Sequence, residues 1–222
     1  MSIAHNIHTV TQQLEGTGCR LIAVTKTKPL EMLLEAYHAG CKLFGENRVQ
    51  EMVEKYEQLP KDIEWHLIGH LQTNKVKYMA PFVTLVHSVD SPKLLQEIDR
   101  QAARHGRVIE CLLQMYIARE ETKFGLSFDE ARELLAAPET AALANVRIVG
   151  LMGMATFTDD REQIRAEFRS LKAFFESLKK SPLPANAEMR ELSMGMSGDY
   201  DIAVAEGSTL IRVGSSIFGS RQ

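Results

Sequence analysis

Cysteine is scarce in this chain. There are three among 222 residues, an odd number with no Cys-x-x-Cys pair, which excludes a disulfide scaffold and the common zinc or redox cysteine motifs. Cys19 and Cys111 lie in apolar runs, where burial raises a thiol's pKa, so the cysteines are expected to be inert, reduced thiols of a cytoplasmic protein. Charge of one sign is not in excess either: 26 Lys and Arg face 29 Asp and Glu, interleaved, for a net charge of −3. That balance gives no electrostatic footprint for nucleic acid or an anionic membrane. No apolar run approaches the ~18 residues of a membrane-crossing helix. Met1-Ser2-Ile3-Ala4-His5 has no basic segment leading into an apolar stretch, so no secretory signal is expected. No Pro/Gly/Ser-rich linker divides the chain, and one domain spanning 1–222 is expected.

What is present is alternation. With 45% hydrophobic residues, the chain has ample material for a core. Short β-branched runs predict strands at Arg20–Lys26, Lys42–Glu46, Trp65–Gly69, Leu85–Val89, Val108–Ile117, Arg147–Thr156, Met189–Ser197 and Leu210–Gly214. Helical periodicity fills the gaps. Pro29 opens and Gly40 closes one helix, and Ile164, Phe168, Leu171, Phe174 and Phe175 form the stripe of another over Asp160–Lys180. Asp90-Ser91-Pro92 and Ser127-Phe128-Asp129-Glu130 read as N-caps. Eight βα units predict a closed parallel (β/α)8 barrel of the TIM type. The rival, an open doubly wound sheet, usually carries a glycine-rich first turn, where this chain has Thr25-Lys26-Thr27-Lys28-Pro29. No eighth helix is expected after the last strand, and the amphipathic segment Ile3–Leu14 is expected to fill its place.

In such barrels chemistry gathers at the C-terminal strand ends, with phosphate often held after strands seven and eight. Lys26 closes the first strand, with Lys28 two residues on. The pair reads in two ways: as surface lysines with snorkelling stems, or as an amine made neutral by desolvation and a second cation, ready to attack an aldehyde. After strand seven comes Ser193-Met194-Gly195-Met196-Ser197-Gly198-Asp199-Tyr200, with Asp199 as a natural N-cap, and after strand eight Arg212-Val213-Gly214-Ser215-Ser216. Small residues let the backbone approach a ligand, and free N–H groups and hydroxyls suit a phosphate, although the same residues also make plain turns. Phe44-Gly45-Glu46-Asn47-Arg48 and Gly69-His70-Leu71-Gln72-Thr73-Asn74-Lys75 are polar clusters just past strands, which line the mouth or cap the next helix. His66 and His70 are four apart, but on a strand entering a loop that spacing does not build a metal site. No metal is expected.

Seven motifs then coincide in order and spacing. They are Ala23-Val24-Thr25-Lys26-Thr27-Lys28, Phe44-Gly45-Glu46-Asn47, Trp65 to Lys75, His87-Ser88-Val89-Asp90-Ser91, Gly150-Leu151-Met152-Gly153-Met154, Leu192 to Ser197, and Arg212 to Gly219. Together they resemble the pyridoxal phosphate (PLP) homeostasis protein family, which is related to the N-terminal barrel of alanine racemase. The resemblance runs from about Cys19 to Arg221. It implies a fold-type III PLP barrel without the C-terminal β domain of the racemases, with Lys26 holding PLP as a Schiff base. Arg212 would lie near the pyridine nitrogen, the phosphate would sit around Ser197, Gly214 and Ser215, and Asn47 would be a further cofactor contact. An arginine there keeps the ring nitrogen unprotonated and weakens the ring as an electron sink. One departure is Tyr116, where the family usually carries a small polar residue, which puts in doubt any hydrogen bond from that position; Glu121-Thr122-Lys123-Phe124-Gly125 is regular.

The implied function is a non-enzymatic, cytoplasmic PLP-binding protein, a monomer, serving vitamin B6 and amino-acid balance and delivering PLP to apo-enzymes, with no catalytic residues. The alternative is a PLP-dependent amino-acid racemase. Racemisation needs a base on each face of the cofactor, and in the racemases the second comes from the C-terminal β domain.

Overall fold

The structure, a computed structural model, describes residues 2–118 and 124–219. Glu121, Thr122 and Lys123 of the stretch after Tyr116 therefore lie outside the described residues. Eight parallel strands close into a barrel in sequence order: β1 Arg20–Val24, β2 Leu43–Glu46, β3 Glu64–Leu67, β4 Leu85–Val89, β5 Ile109–Met115, β6 Val146–Gly153, β7 Ala187–Met196 and β8 Leu210–Val213. The helices are α1 Ile3–Leu14, α2 Leu30–His38, α3 Val49–Gln58, α4 Val76–Met79, α5 Pro92–Arg104, α6 Phe128–Ala136, α7 Pro138–Ala141, α8 Arg161–Lys179, α9 Tyr200–Ala205 and α10 Ser215–Phe218. Arg20 pairs with Leu210 and Ala23 with Val213, closing the ring. None of the helices is long and apolar enough to cross a membrane, among the described residues.

Local chemistry sets these elements. Ser91 caps α5 by accepting from the Leu94 N–H, with Pro92 in the first turn, and Ser127 with Glu130 forms a full capping box on α6. Asp160 accepts from the N–H groups of Glu162 and Gln163 to start α8. Pro29 occupies the N-cap of α2 rather than its first turn. Gly150 breaks the register between β6 and β7: its φ is +154°, and a Cβ there would lie 1.7 Å from the Glu191 carbonyl oxygen. A side chain cannot be added at that bulge.

Side chains alternate between two cores. Trp65, Leu67, Val86, Ile211 and Val213 face the helices in the larger cluster. Ile22, Leu85, Leu112, Val149, Met152 and Leu210 fill the barrel itself. Two residues further along their strands, Leu85 gives way to His87 and Leu210 to Arg212, both buried. The interior thus turns from apolar to polar towards the C-terminal strand ends, which is where a site can form.

The expected strands all occur, mostly shorter. β1 stops at Val24, and Lys26 stands in the turn beyond it. The expectation of no eighth helix is corrected by α10, a single turn after β8. α1 packs on β1, α2 and α10, and the Asn6 amide donates to the Ile217 carbonyl at 2.8 Å.

Candidate functional site

A cavity of about 600 Å³ opens at the C-terminal ends of the strands. Its walls come from the β1–α2 turn, the ends of β2 and β6, and the loops leaving β6, β7 and β8. Lys26, Asn47, Ser197, Arg212, Gly214 and Ser215 all line it, together with Lys28, Met154 and Asp199. The six residues singled out in the sequence therefore meet at one place, although Ser215 lies 189 positions beyond Lys26.

Lys28, expected as the second cation beside Lys26, also lines the cavity and donates from Nζ to the carbonyls of Phe218 (3.3 Å) and Gly219 (3.2 Å). Cation and carbonyls meet at the C-terminal end of α10, where the charge is welcome. Asn47 follows β2 and is fixed by a close backbone approach. A Cβ on Gly69 would come within 2.4 Å of the Asn47 carbonyl oxygen, so only glycine allows β3 to deliver its loop there. The polar cluster after β2 divides: Asn47 lines the cavity, while Glu46 is fully buried behind it. From the cluster after β3, Thr73 and Asn74 lie instead on a separate surface hollow with Lys93 and Arg100.

The loops after β7 and β8 are tied to each other through one hydroxyl. Ser197 Oγ accepts from the Gly214 N–H at 3.2 Å and from the Ser216 N–H at 3.5 Å. Asp199 sits at the N-cap position of α9, but its Oδ1 turns back to accept from the Met196 N–H at 2.6 Å instead of capping the helix. Around Gly198 nothing lies within 4 Å of the Cβ position, leaving open room beside these small residues.

Arg212 projects from β8 into the polar end of the barrel and is buried. Its Nη1 donates to Ser193 Oγ at 2.6 Å and its Nη2 to the Gly153 carbonyl at 3.1 Å. Both acceptors are neutral. Burial lowers the guanidinium to about 10, against a smaller opposing pull from Asp199, so it remains a cation at neutral pH. Ser193 Oγ also lies 3.0 Å from His87 Nδ1, and His87 Nε2 lies 2.9 Å from His66 Nδ1. Burial holds His66 down at about 3; burial, then His66 and Arg212, keep His87 well below its ordinary value. At neutral pH both imidazoles are uncharged, and the four side chains form a hydrogen-bonded line through the barrel.

The i,i+4 spacing of His66 and His70 brings them to no common site, as expected of a strand entering a loop; the fold pairs His66 with His87 on the neighbouring strand. His70 is exposed and stacks on Phe124 with ring centroids 5.0 Å apart. Among the described residues no group of three or more His, Cys, Asp or Glu side chains is placed to hold a metal ion. Tyr116 is half-buried; its backbone N–H donates to the Leu126 carbonyl at 2.9 Å. A residue the sequence did not single out is Lys55 in α3, whose buried ammonium reaches Glu46, Glu51 and the Thr25 carbonyl behind the Lys26 turn. As a lysine four residues after a glutamate, it reads in the sequence as an ordinary exposed helix pair. Burial pushes the Glu46 carboxyl up, and Lys55 opposes the rise.

The arrangement offers an amine, a pair of Gly/Ser loops and a buried cation around one cavity at the mouth of a closed barrel. The chain matches the family described as "Alanine racemase, N-terminal domain" over residues 1–222, which places the barrel and its cavity in that class. A protein from Aquifex aeolicus named pyridoxal phosphate homeostasis protein is 40% identical over 209 residues, covering 93% of this chain and 90% of the relative. The chain belongs to the pyridoxal phosphate homeostasis protein family. Similar solved structures include PipY of Synechococcus elongatus without PLP (TM-score 0.91) and with PLP bound (0.89), each 38% identical and covering 98% of this chain and all of that one. Alanine racemase from Bartonella henselae shares the fold at TM-score 0.71 with 15% identity, this chain covering 58% of its length.

Proposed function

We propose that this chain binds pyridoxal 5′-phosphate covalently on Lys26 and holds it in store, taking part in PLP homeostasis rather than in amino-acid catalysis. The observation that carries the reading is the convergence of Lys26, Ser197, Gly214, Ser215 and Arg212 on one cavity. PLP has three chemical handles, and each has a counterpart there. The PLP bound to PipY and the homeostasis name borne by the Aquifex relative support the same ligand.

When bound, PLP supplies an aldehyde that joins reversibly to an amine and a ring that can draw electrons from that bond. The protein's part begins with Lys26, whose amine must shed its proton to react and which shares the cavity wall with Val24 and Ile68. Gly214, without a side chain, would let the phosphate approach the backbone and Ser215 would meet it with its N–H and hydroxyl, while Ser197 Oγ already accepts from the Gly214 and Ser216 N–H groups that flank that space. Asn47, just past β2, would add a polar contact from its part of the wall. Arg212, held by Ser193 and Gly153, would present its cation to the ring nitrogen and keep that nitrogen unprotonated. A ring so held is a weak electron sink, which is the physical reason to read the chain as a carrier.

On this reading residues 1–222 act as one binding domain and as a monomer, and the recipients are apo PLP-dependent enzymes. Burial pushes Cys19 and Cys41 up to about 11, and thiols so inert suit the reducing cytoplasm. The experiment that separates carrier from racemase is solvent-deuterium exchange at the α-carbon of alanine, serine and other L-amino acids. We expect no exchange above that of free PLP. Exchange well above it, abolished by Lys26→Ala, would replace the carrier reading with the enzyme.

A further inference from the structure

The turn that carries Lys26 is gripped from the side opposite the cavity. Lys55 of α3 is buried, and its Nζ lies 2.7 Å from each of three acceptors: the Thr25 carbonyl, Glu46 Oε1 and Glu51 Oε1. An ammonium has three donors, and all are used. Glu46 Oε1 also accepts from Thr25 Oγ1 at 2.6 Å, and Glu51 Oε1 accepts from the Thr27 N–H at 2.5 Å. Both chain neighbours of Lys26 are thereby tied to the same buried charge.

Thr27 is the second half of the observation. Its φ is +63°, the one positive value at a non-glycine among the described residues. A β-branched residue rarely takes that conformation, and strained backbone persists only where the surroundings over-determine it. Fastening α3 to the barrel would not by itself require a strained threonine next to Lys26. A buried ammonium with two carboxylates is also an expensive way to join a helix to a sheet, since apolar packing does so without desolvating charge.

We propose that Lys55, acting through Glu46 and Glu51, is a positioning residue that holds Thr25 to Thr27 so that Lys26 meets a phosphorylated aldehyde in the cavity at bonding geometry. The inference rests on the PLP-binding reading above. In the step it serves, Lys26 Nζ condenses with the aldehyde carbon, a C=N bond replaces C=O, and the aldehyde oxygen leaves as water. Lys55 touches neither reactant.

The test compares wild type with Glu51→Gln, which loosens the hold on Thr27, and with Lys55→Met, which removes the charge. Three quantities are read: the rate of covalent condensation with PLP, the affinity for pyridoxine 5′-phosphate, and amide exchange at Thr27 and Lys28 in the ligand-free chain. Pyridoxine 5′-phosphate carries an alcohol in place of the aldehyde and occupies the site without condensing. We expect condensation to slow by about tenfold or more, as misplacement of a reacting group does, while pyridoxine 5′-phosphate affinity changes by less than about twofold. The Thr27 amide should lose protection in both variants. Should Lys55→Met fail to fold, with two carboxylates left unpaired, Glu51→Gln carries the comparison alone. An unchanged condensation rate overturns the inference. So does an equal loss of rate and of pyridoxine 5′-phosphate affinity, which marks general damage to the cavity. A wild-type chain that forms no adduct on Lys26 overturns the binding reading itself, and the Thr27 amide then still reports whether the grip exists.

Discussion

Replacing Arg212 with methionine should separate what that residue does for folding from what it does for binding. The guanidinium is buried against two neutral acceptors and is lowered from 12.5 to about 10. At about 1.4 kcal/mol per pKa unit, keeping it charged costs the fold about 3 kcal/mol. Arg212→Met removes that cost but leaves Ser193 Oγ and the Gly153 carbonyl short of a donor, at about 1–3 kcal/mol each. The two effects offset to within about 3 kcal/mol, so the ligand-free variant should stay folded and lose no more than about that much stability in urea. PLP affinity should fall by roughly tenfold to a hundredfold, the worth of one charge-assisted contact to the ring nitrogen. Urea denaturation of the ligand-free chain and a PLP titration followed by absorbance measure the two quantities. A stability loss beyond about 4 kcal/mol would make Arg212 a structural ion. Unchanged PLP affinity would remove it from the site.

Two further outcomes follow from the same geometry. The His66 pKa is depressed in the folded chain, so the unfolded chain binds the extra proton first as pH falls; the associated stability is complete above about 6.5 and is lost towards about 3. Urea unfolding should therefore weaken by about 1.4 kcal/mol per pH unit for this imidazole across that window, and His66→Gln should flatten the slope; an identical slope in the variant would show that His66 is not buried neutral. Ser197→Asp places a carboxylate beside the Gly214 and Ser216 N–H groups, so PLP affinity should drop several-fold or more while pyridoxal affinity changes little; equal losses for both ligands would put the phosphate elsewhere.

The sequence and the structure agree most closely where local chemistry decides. Apolar runs such as Ile22 to Val24 and Ile148 to Met152 announce strands, and Ser91, Ser127 and Asp160 announce helix starts, because caps and periodicity act over a few residues. The Gly/Ser loops after β7 and β8 were legible for a similar reason: a barrel puts consecutive strand ends side by side. Lys26 was ambiguous from its own segment and became specific only through the family resemblance. What could not be seen depends on residues distant in sequence. His66 meets His87, 21 positions on, because adjacent strands align their inward side chains, a partner that no local spacing announces. Lys55 is buried only because α3 packs its Glu46-facing side against the β1 turn. Asp199 has the right residue type for a helix cap, yet the β7 bend offers its carboxylate the nearer Met196 N–H.

The central claim, that Lys26 carries the cofactor, is tested most directly by fixing the adduct and locating it. Purified protein loaded with PLP and reduced with borohydride should give, after tryptic digestion, one modified peptide with the added mass on Lys26. Lys26→Ala should lose both the yellow chromophore and the fixed adduct while remaining folded. A Lys26→Ala chain that keeps a full complement of borohydride-fixed PLP, with the mass on Lys28 or Lys123, would contradict the account.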